Sequence, residues 1–334
     1  MRACEIVSAD GIDALALAER PMPKPGPGQV LVRIRASSVN YRDLATVLDP
    51  VSRSLPYPRI PNSDGAGDVV EIGASVTGFA PGDRVAGTFF QDWDDGAITQ
   101  QAMNSALGGA LDGVLADHAL LSANGLVHLP PYLDYAEAAT LPCAALTAWH
   151  ALVEFGQLKA GQTVLLLGTG GVSIFALQFA AMHGARAIVT SKSDDKRAAA
   201  ENLGAWQTIN YAAKPDWENA VLEMTDGAGA DLVVEVGGAG TLEKSVNAVK
   251  IGGKIGLIGV LTGGTINPTA MMRKSIRLQG IYVGSRRMFE DMNRAIATHQ
   301  LHPVIDRQFA FDDARAAFHH MQGAGHFGKI VVAL

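Results

Sequence analysis

An α/β fold, with a doubly wound parallel sheet joined to a smaller β-rich domain, is predicted by three features of this 334-residue sequence. From Tyr135 onward, short apolar runs alternate with helical ones, and near-continuous apolar runs mark parallel strands that are covered on both faces. One such run, residues 164–167, passes through a glycine turn into a second apolar stretch. Before Tyr135 the chain reads instead as short strands broken by Gly and Pro, the pattern of a small, partly barrel-like β domain.

Each element follows from local chemistry. Residues 30–36 alternate apolar and basic side chains, the period of a half-buried strand. They follow Pro21-Met-Pro-Lys-Pro-Gly-Pro-Gly28, a stretch that cannot be helix. Residues 65–72 and 83–86 read as strands, divided by Gly73 and the Pro81-Gly82-Asp83 turn. Residues 136–155 contain helical runs. Strands at 164–167, 187–190, 232–236 and 254–258 then alternate with helices at 174–183, 196–203 and 241–249. The tail predicts a helix at 312–321 and a strand at 329–334. No helix follows that strand, so it is expected to return to the first domain. The expected division is 1–128 with 299–334 as one domain and 129–298 as the other, in keeping with the length.

Composition narrows the function. Hydrophobic residues make up 48% of the chain, enough for two cores, and its 37 glycines point to many tight turns rather than disorder. A net charge of −6 without any basic run argues against nucleic acid or an anionic membrane as partner. Two cysteines, Cys4 and Cys143, exclude a disulfide framework and a zinc site built on several thiolates. The first ten residues lack the apolar core of a signal peptide, and the longest apolar stretches are too short to cross a bilayer. A soluble protein of the reducing cytoplasm is expected.

The turn Gly168-Thr169-Gly170-Gly171-Val172-Ser173 carries the main functional reading. Gly168 permits a tight turn, and Gly170 lets the backbone approach a pyrophosphate. The amides of residues 171–173 open a helix whose unpaired N–H groups and dipole favour phosphate. Ser173 replaces the third glycine and is small enough for close helix–strand packing. Between a strand and a helix, inside a run of βαβ units, this turn reads as a Rossmann-type dinucleotide site.

Cofactor choice depends on the tip of the second strand. An NAD enzyme usually places an acid about 20 residues on, to accept the ribose 2′-hydroxyl. This chain has Thr190-Ser191-Lys192-Ser193 there, and a hydroxyl beside a lysine suits a 2′-phosphate. NADPH is therefore expected, with Ser191 and Lys192 as its partners. Asp194 and Asp195 are expected to cap the next helix.

Several motifs together resemble the medium-chain dehydrogenase/reductase superfamily along nearly the whole chain, and within it the zinc-independent, quinone-oxidoreductase-like branch. They are Ser38-Val-Asn40-Tyr41-Arg-Asp43-Leu44, Pro61-Asn-Ser63-Asp64-Gly65-Ala-Gly67, Gly78-Phe-Ala-Pro-Gly82-Asp83-Arg84-Val85 and Leu141-Pro-Cys143-Ala-Ala-Leu-Thr147-Ala-Trp149. The glycine turn, Ile209-Asn210-Tyr211 and Phe327-Gly328-Lys329 complete the set. The resemblance implies a GroES-like catalytic domain of β-barrel type beside the Rossmann domain. It implies an active site in the cleft between them and a homodimer formed through edge strands near residues 281–284.

The resemblance also bears on metal. Zinc-dependent relatives carry a cysteine where this chain has Asn40, a histidine at Ser63, an acid at Asp64 and a cysteine at Cys143. One thiol and one carboxylate do not supply the three protein ligands of a catalytic zinc. Residues 89–109, where those relatives carry four structural-zinc cysteines, have none. Without a metal Lewis acid an alkoxide is poorly stabilised, whereas a quinone or α,β-unsaturated carbonyl can take hydride from NADPH as its enolate accepts hydrogen bonds. Asn40 and Tyr41 stand where relatives present polar groups to nicotinamide and substrate, and are the candidate catalytic residues. Asn40 suits equally the N-cap of a helix starting near Arg42, and Asp43 reads as part of that helix's first turn.

The family pattern implies further cofactor contacts at Thr147, Tyr211, Val236, Gly237, Gly259, Val260, Phe327 and Gly328. Residues 89–109, rich in aromatics and acids, read either as a lid favouring an apolar or aromatic carbonyl substrate or as a solvated loop. Two other activities stay open: a metal-free alcohol or aldehyde dehydrogenase, with Tyr41 in a proton relay, and a non-catalytic NADPH-binding redox sensor.

Overall fold

The computed structural model describes Met1–Leu334 as two compact units, Met1–Leu146 with Val283–Leu334, and Thr147–Tyr282. The joints therefore fall at 146/147 and 282/283, where the change in sequence pattern suggests 128/129 and 298/299. A 14-residue helix, Arg286–His299, which the sequence reading does not anticipate, accounts for the second difference. It buries Phe289, Met292 and Ile296 within the first unit.

That first unit is β-rich. Its main sheet runs in the order Ile305–Ala310, Lys329–Ala333, Gln29–Val39, Asp64–Ile72, Arg84–Gly87, Leu126–His128, with His118–Ser122 also paired to Gln29–Val39. Lys329–Ala333 lies antiparallel to Gln29–Val39, so the C-terminal strand does return to the N-terminal domain. A separate hairpin pairs Arg2–Ile6 with Leu15–Glu19. One core under these strands gathers Val39, Leu44 and Val47 with Phe318, Ile330 and Val332. This core anchors the helix Tyr41–Leu48 and the last strand against each other.

Residues 89–109 are neither a lid nor a solvated loop throughout. Phe89, Phe90 and Trp93 are buried, the Arg42 guanidinium lies 4.6 Å from the Phe89 ring centroid, and Arg286 N–H donates to the Trp93 carbonyl at 2.9 Å. The aromatics are core of the first unit, while the acids Asp92, Asp94 and Asp95 and most of residues 96–104 reach solvent.

In Thr147–Tyr282 six strands form one sheet in the order Gln207–Asn210, Arg186–Ser191, Thr163–Leu167, Ala230–Glu235, Val249–Leu257, Arg277–Gly280. Every pairing is parallel. The order reverses between Thr163–Leu167 and Ala230–Glu235, which is the switch point of a doubly wound sheet. All five residues of Thr163–Leu167 are buried, as its unbroken apolar run requires. The helical stretch before the sheet contains π-type turns at Leu141–Ala145 and His150–Phe155, irregularities that are frequent at functional sites.

Candidate active site

In the sheet unit, the glycine turn has the conformation its sequence suggests. Gly168 has φ +74°, in the region open chiefly to glycine, and its N–H donates to Thr190 Oγ1 at 3.1 Å. Gly170 is the N-cap of the helix Gly171–Met182, whose first turn contains no acid. Ser173 Oγ–H turns inward to the Leu167 carbonyl at 2.6 Å, which ties helix to strand as the missing glycine would by close approach. The helix N-terminus is thus not filled by a carboxylate of the chain, and these residues fit a dinucleotide pyrophosphate.

At the second strand tip Ser191 is buried and Lys192 is exposed. The helix beyond is capped by Ser193, whose Oγ accepts from Lys196 N–H at 3.4 Å; Asp194 and Asp195 lie in its first turn and are not the cap. Arg197 and Asn210 each donate to Asp194 Oδ1 at 2.8 Å and hold its carboxyl below the usual range. Sequence reading misses Lys196 and Arg197. They follow Lys192 in the first turn of this helix, where Arg197 is paired with Asp194. Tyr211 follows the neighbouring strand and is 39% exposed. Thr147, residues 168–172, Ser191, Lys192, Tyr211, Val236, Gly237, Gly259 and Val260 all belong to this unit.

Phe327 and Gly328 belong to the other unit. There Phe327 N–H donates to Asp306 Oδ1 at 2.9 Å, and Gly328 has φ +83°. They lead directly into Lys329, a residue the sequence reading leaves out of the site. Lys329 is 3% exposed, and its ammonium donates to the Val39 carbonyl at 3.2 Å and to Asn40 Oδ1. A buried lysine is rare unless paired, and the pairing here spans almost the whole chain.

Asn40 does sit at the N-cap of Tyr41–Leu48, and Asp43 Oδ2 accepts its N–H at 2.8 Å. Its side-chain Oδ1 is committed to Lys329, while Nδ2 is buried beside the Asp64 carboxyl without a close hydrogen bond. Ser63 Oγ–H donates to Asp64 Oδ1 at 2.6 Å, and Cys143 N–H donates to Asp64 Oδ2 at 3.0 Å. Burial pushes the Asp64 carboxyl up to about 6, despite the opposing Lys329 charge. Burial and the neighbouring Asp64 push the Cys143 thiol up, so it stays protonated at neutral pH. Tyr41, first residue of its helix, is 45% exposed.

These residues do not fit a catalytic zinc. An amide bound to an ammonium and a hydroxyl bound to a carboxylate occupy two of the four positions, and a fixed positive charge opposes a divalent cation. No group of three or more His, Cys, Asp or Glu side chains elsewhere could hold a metal ion.

A phosphate-ready glycine turn on a parallel sheet, together with a β-rich unit bearing this polar cluster, defines a two-unit oxidoreductase built on the Rossmann sheet. Comparison with known proteins places it further. Family models described as alcohol dehydrogenase GroES-like domain and zinc-binding dehydrogenase match residues 26–131 and 171–298. The chain is 44% identical over 335 residues to a zinc-type alcohol dehydrogenase-like protein of Schizosaccharomyces pombe, covering 97% of this chain and 96% of that one. It is 33% identical over 245 residues to a quinone oxidoreductase of Pseudomonas aeruginosa, covering 72% and 67%. A solved NAD-dependent alcohol dehydrogenase superposes with a TM-score of 0.91 at 32% identity, covering 100% of both chains. The chain belongs to the medium-chain dehydrogenase/reductase superfamily and is an oxidoreductase of that kind.

Proposed function

We propose that the chain is an NADPH-dependent reductase that works without zinc and delivers hydride to a quinone or an α,β-unsaturated carbonyl. The cluster of Asn40, Ser63, Asp64, Cys143 and Lys329 carries this reading, because it offers an oxyanion hydrogen bonds rather than a Lewis acid. NADPH, when bound, supplies the hydride. The amides of residues 171–173 hold the pyrophosphate, and Ser191 and Lys192, with Tyr211 beside them, receive the 2′-phosphate. Thr147, Val236, Gly237, Gly259, Val260, Phe327 and Gly328 complete the cofactor contacts. Asn40 is the donor to the substrate carbonyl, its Nδ2 making no close hydrogen bond while Lys329 holds its Oδ1. Tyr41, 45% exposed, is the proton donor to the reduced product.

The test is the absorbance of NADPH against a panel of quinones, enones and enals, with metal analysis of the same sample. Oxidation by the panel in zinc-free protein is the expected result. A second reading, an NAD-linked alcohol dehydrogenase, draws support from the names of the relatives. Stoichiometric zinc with alcohol oxidation by NAD would establish it. Binding without turnover across both panels would make the chain a redox sensor instead. The outer strand Arg277–Gly280 leaves one edge of the sheet unpaired, which supports a homodimer formed edge to edge; light scattering after gel filtration measures it. No helix is long and apolar enough to cross a membrane; a cytoplasmic place of action belongs to the same proposal and draws support from the two free thiols.

A further inference from the structure

Glu235 ends the strand Ala230–Glu235 and is wholly buried, yet forms no ion pair. An ionised carboxylate tolerates such burial only if donors replace its water. Four do. Glu235 Oε1 accepts from Gly237 N–H at 2.8 Å, Gly238 N–H at 3.1 Å and Thr241 Oγ1–H at 2.7 Å, and Oε2 accepts from Ser245 Oγ–H. Gly238 is the N-cap of the helix Ala239–Ala248, so the carboxylate also faces the positive end of that helix. In the helix Gly171–Met182 the equivalent place contains no acid. The helix Gly171–Met182 is left open to an external phosphate, and the helix Ala239–Ala248 is closed by an internal carboxyl group.

The same residue ties two loops together. The Glu235 carbonyl accepts from Ile258 N–H at 2.9 Å and Gly259 N–H at 3.0 Å. Thr262 donates to the Gly237 carbonyl through N–H at 2.9 Å and Oγ1–H at 2.8 Å. The loops run backbone against backbone: a Cβ on Gly259 would stand 1.8 Å from the Val236 carbonyl oxygen. Above the buried carboxylate, Val236, Gly237 and Gly259 are half-buried and Val260 is exposed. These loops leave the carboxyl ends of two strands in the second half of the sheet. In a doubly wound sheet each half takes one mononucleotide at that edge, and the first half carries the Ser191-Lys192 tip.

We propose that Glu235 is the positioning residue of the nicotinamide half of the dinucleotide site: its carboxylate fixes the Gly237 and Gly238 amides, and so the Gly237 carbonyl on which Thr262 of the facing loop is held, in the shape that receives the second mononucleotide. The proposal rests on the dinucleotide reading given above. Glu235 touches no cofactor atom; it acts through the loops. Its removal therefore costs affinity on one half of the ligand only.

The experiment titrates the full-length chain with NADPH and with 2′,5′-ADP, which lacks the nicotinamide half, by calorimetry. Glu235→Ala is expected to weaken NADPH by about tenfold or more while 2′,5′-ADP stays within about twofold. Glu235→Gln keeps one accepting oxygen and the shape of the side chain, and is expected to restore NADPH to within about threefold of wild type. If Glu235→Ala does not fold, Thr241→Val and Ser245→Ala each remove one donor, and the same selective loss is expected on a smaller scale. An unchanged NADPH affinity in these variants overturns the proposal, as does an equal loss for both ligands, which signals a purely structural role. Wild-type protein that binds neither of these ligands nor NADH overturns the dinucleotide reading itself, and with it the proposal.

Discussion

Lys329→Met should destabilise the protein in a way that depends on pH, because the lost charge is felt mainly by Asp64. The Asp64 carboxyl is pushed from its ordinary 3.8 up to about 6 by burial, against the opposing Lys329 charge. An acid whose folded value lies above its unfolded one contributes full stability below the unfolded value. That contribution is lost as pH rises through the folded value, here across about 4 to 6, a loss of about 3 kcal/mol. Removing the ammonium raises the folded value further, so the loss continues above pH 6. At pH 5 Asp64 is largely neutral in wild type and variant alike. The substitution then costs only the donors to Val39 and Asn40, about 1–2 kcal/mol. At pH 8 it also leaves a buried carboxylate without its cation, and the cost becomes about 3–5 kcal/mol. Urea unfolding followed by circular dichroism at the two pH values measures the difference. Adding Asp64→Asn to the variant should abolish it. An equal loss at pH 5 and pH 8, or a larger one at pH 5, would refute the coupling.

Two further outcomes are expected. Lys192→Glu should weaken NADPH by about tenfold or more and NADH by less than about threefold; equal effects in a binding titration would remove Ser191-Lys192 from the 2′-phosphate site. Gly259→Ala forces a methyl into the Val236 carbonyl, so it should lower the melting temperature by several degrees. Gly263→Ala, where a methyl meets nothing within 4 Å, is the matched control, and equal melting shifts would show that the two loops part freely.

Much of the sheet unit was legible because its signals are local. An apolar run, a glycine turn and an apolar helix are contiguous, and each states its own conformation whatever packs around it. The strand tip at Ser191-Lys192 is legible for the same reason. Helix caps were less so: Ser193, not Asp194 or Asp195, caps its helix, a choice between adjacent polar residues that depends on where the strand lets go. The aromatics of residues 89–109 were ambiguous because a lid and a core wall have the same composition. Packing under Arg42 and beside the helix Arg286–His299 settled them as core.

The sequence by itself determined the doubly wound sheet and the glycine turn, and its resemblance set Asn40 and Ser63 where zinc-dependent relatives carry metal ligands. Only the tertiary structure decided what those two residues are paired with. Lys329 reaches Asn40 across 289 residues, and Asp64 takes the Cys143 N–H across 79. Glu235, one acid closing an apolar strand, shows its four donors only once the helix behind it is folded. Local conformation follows from neighbours in the chain. The state of a buried charge follows from neighbours in space, since burial raises its cost and only folded partners can offset it.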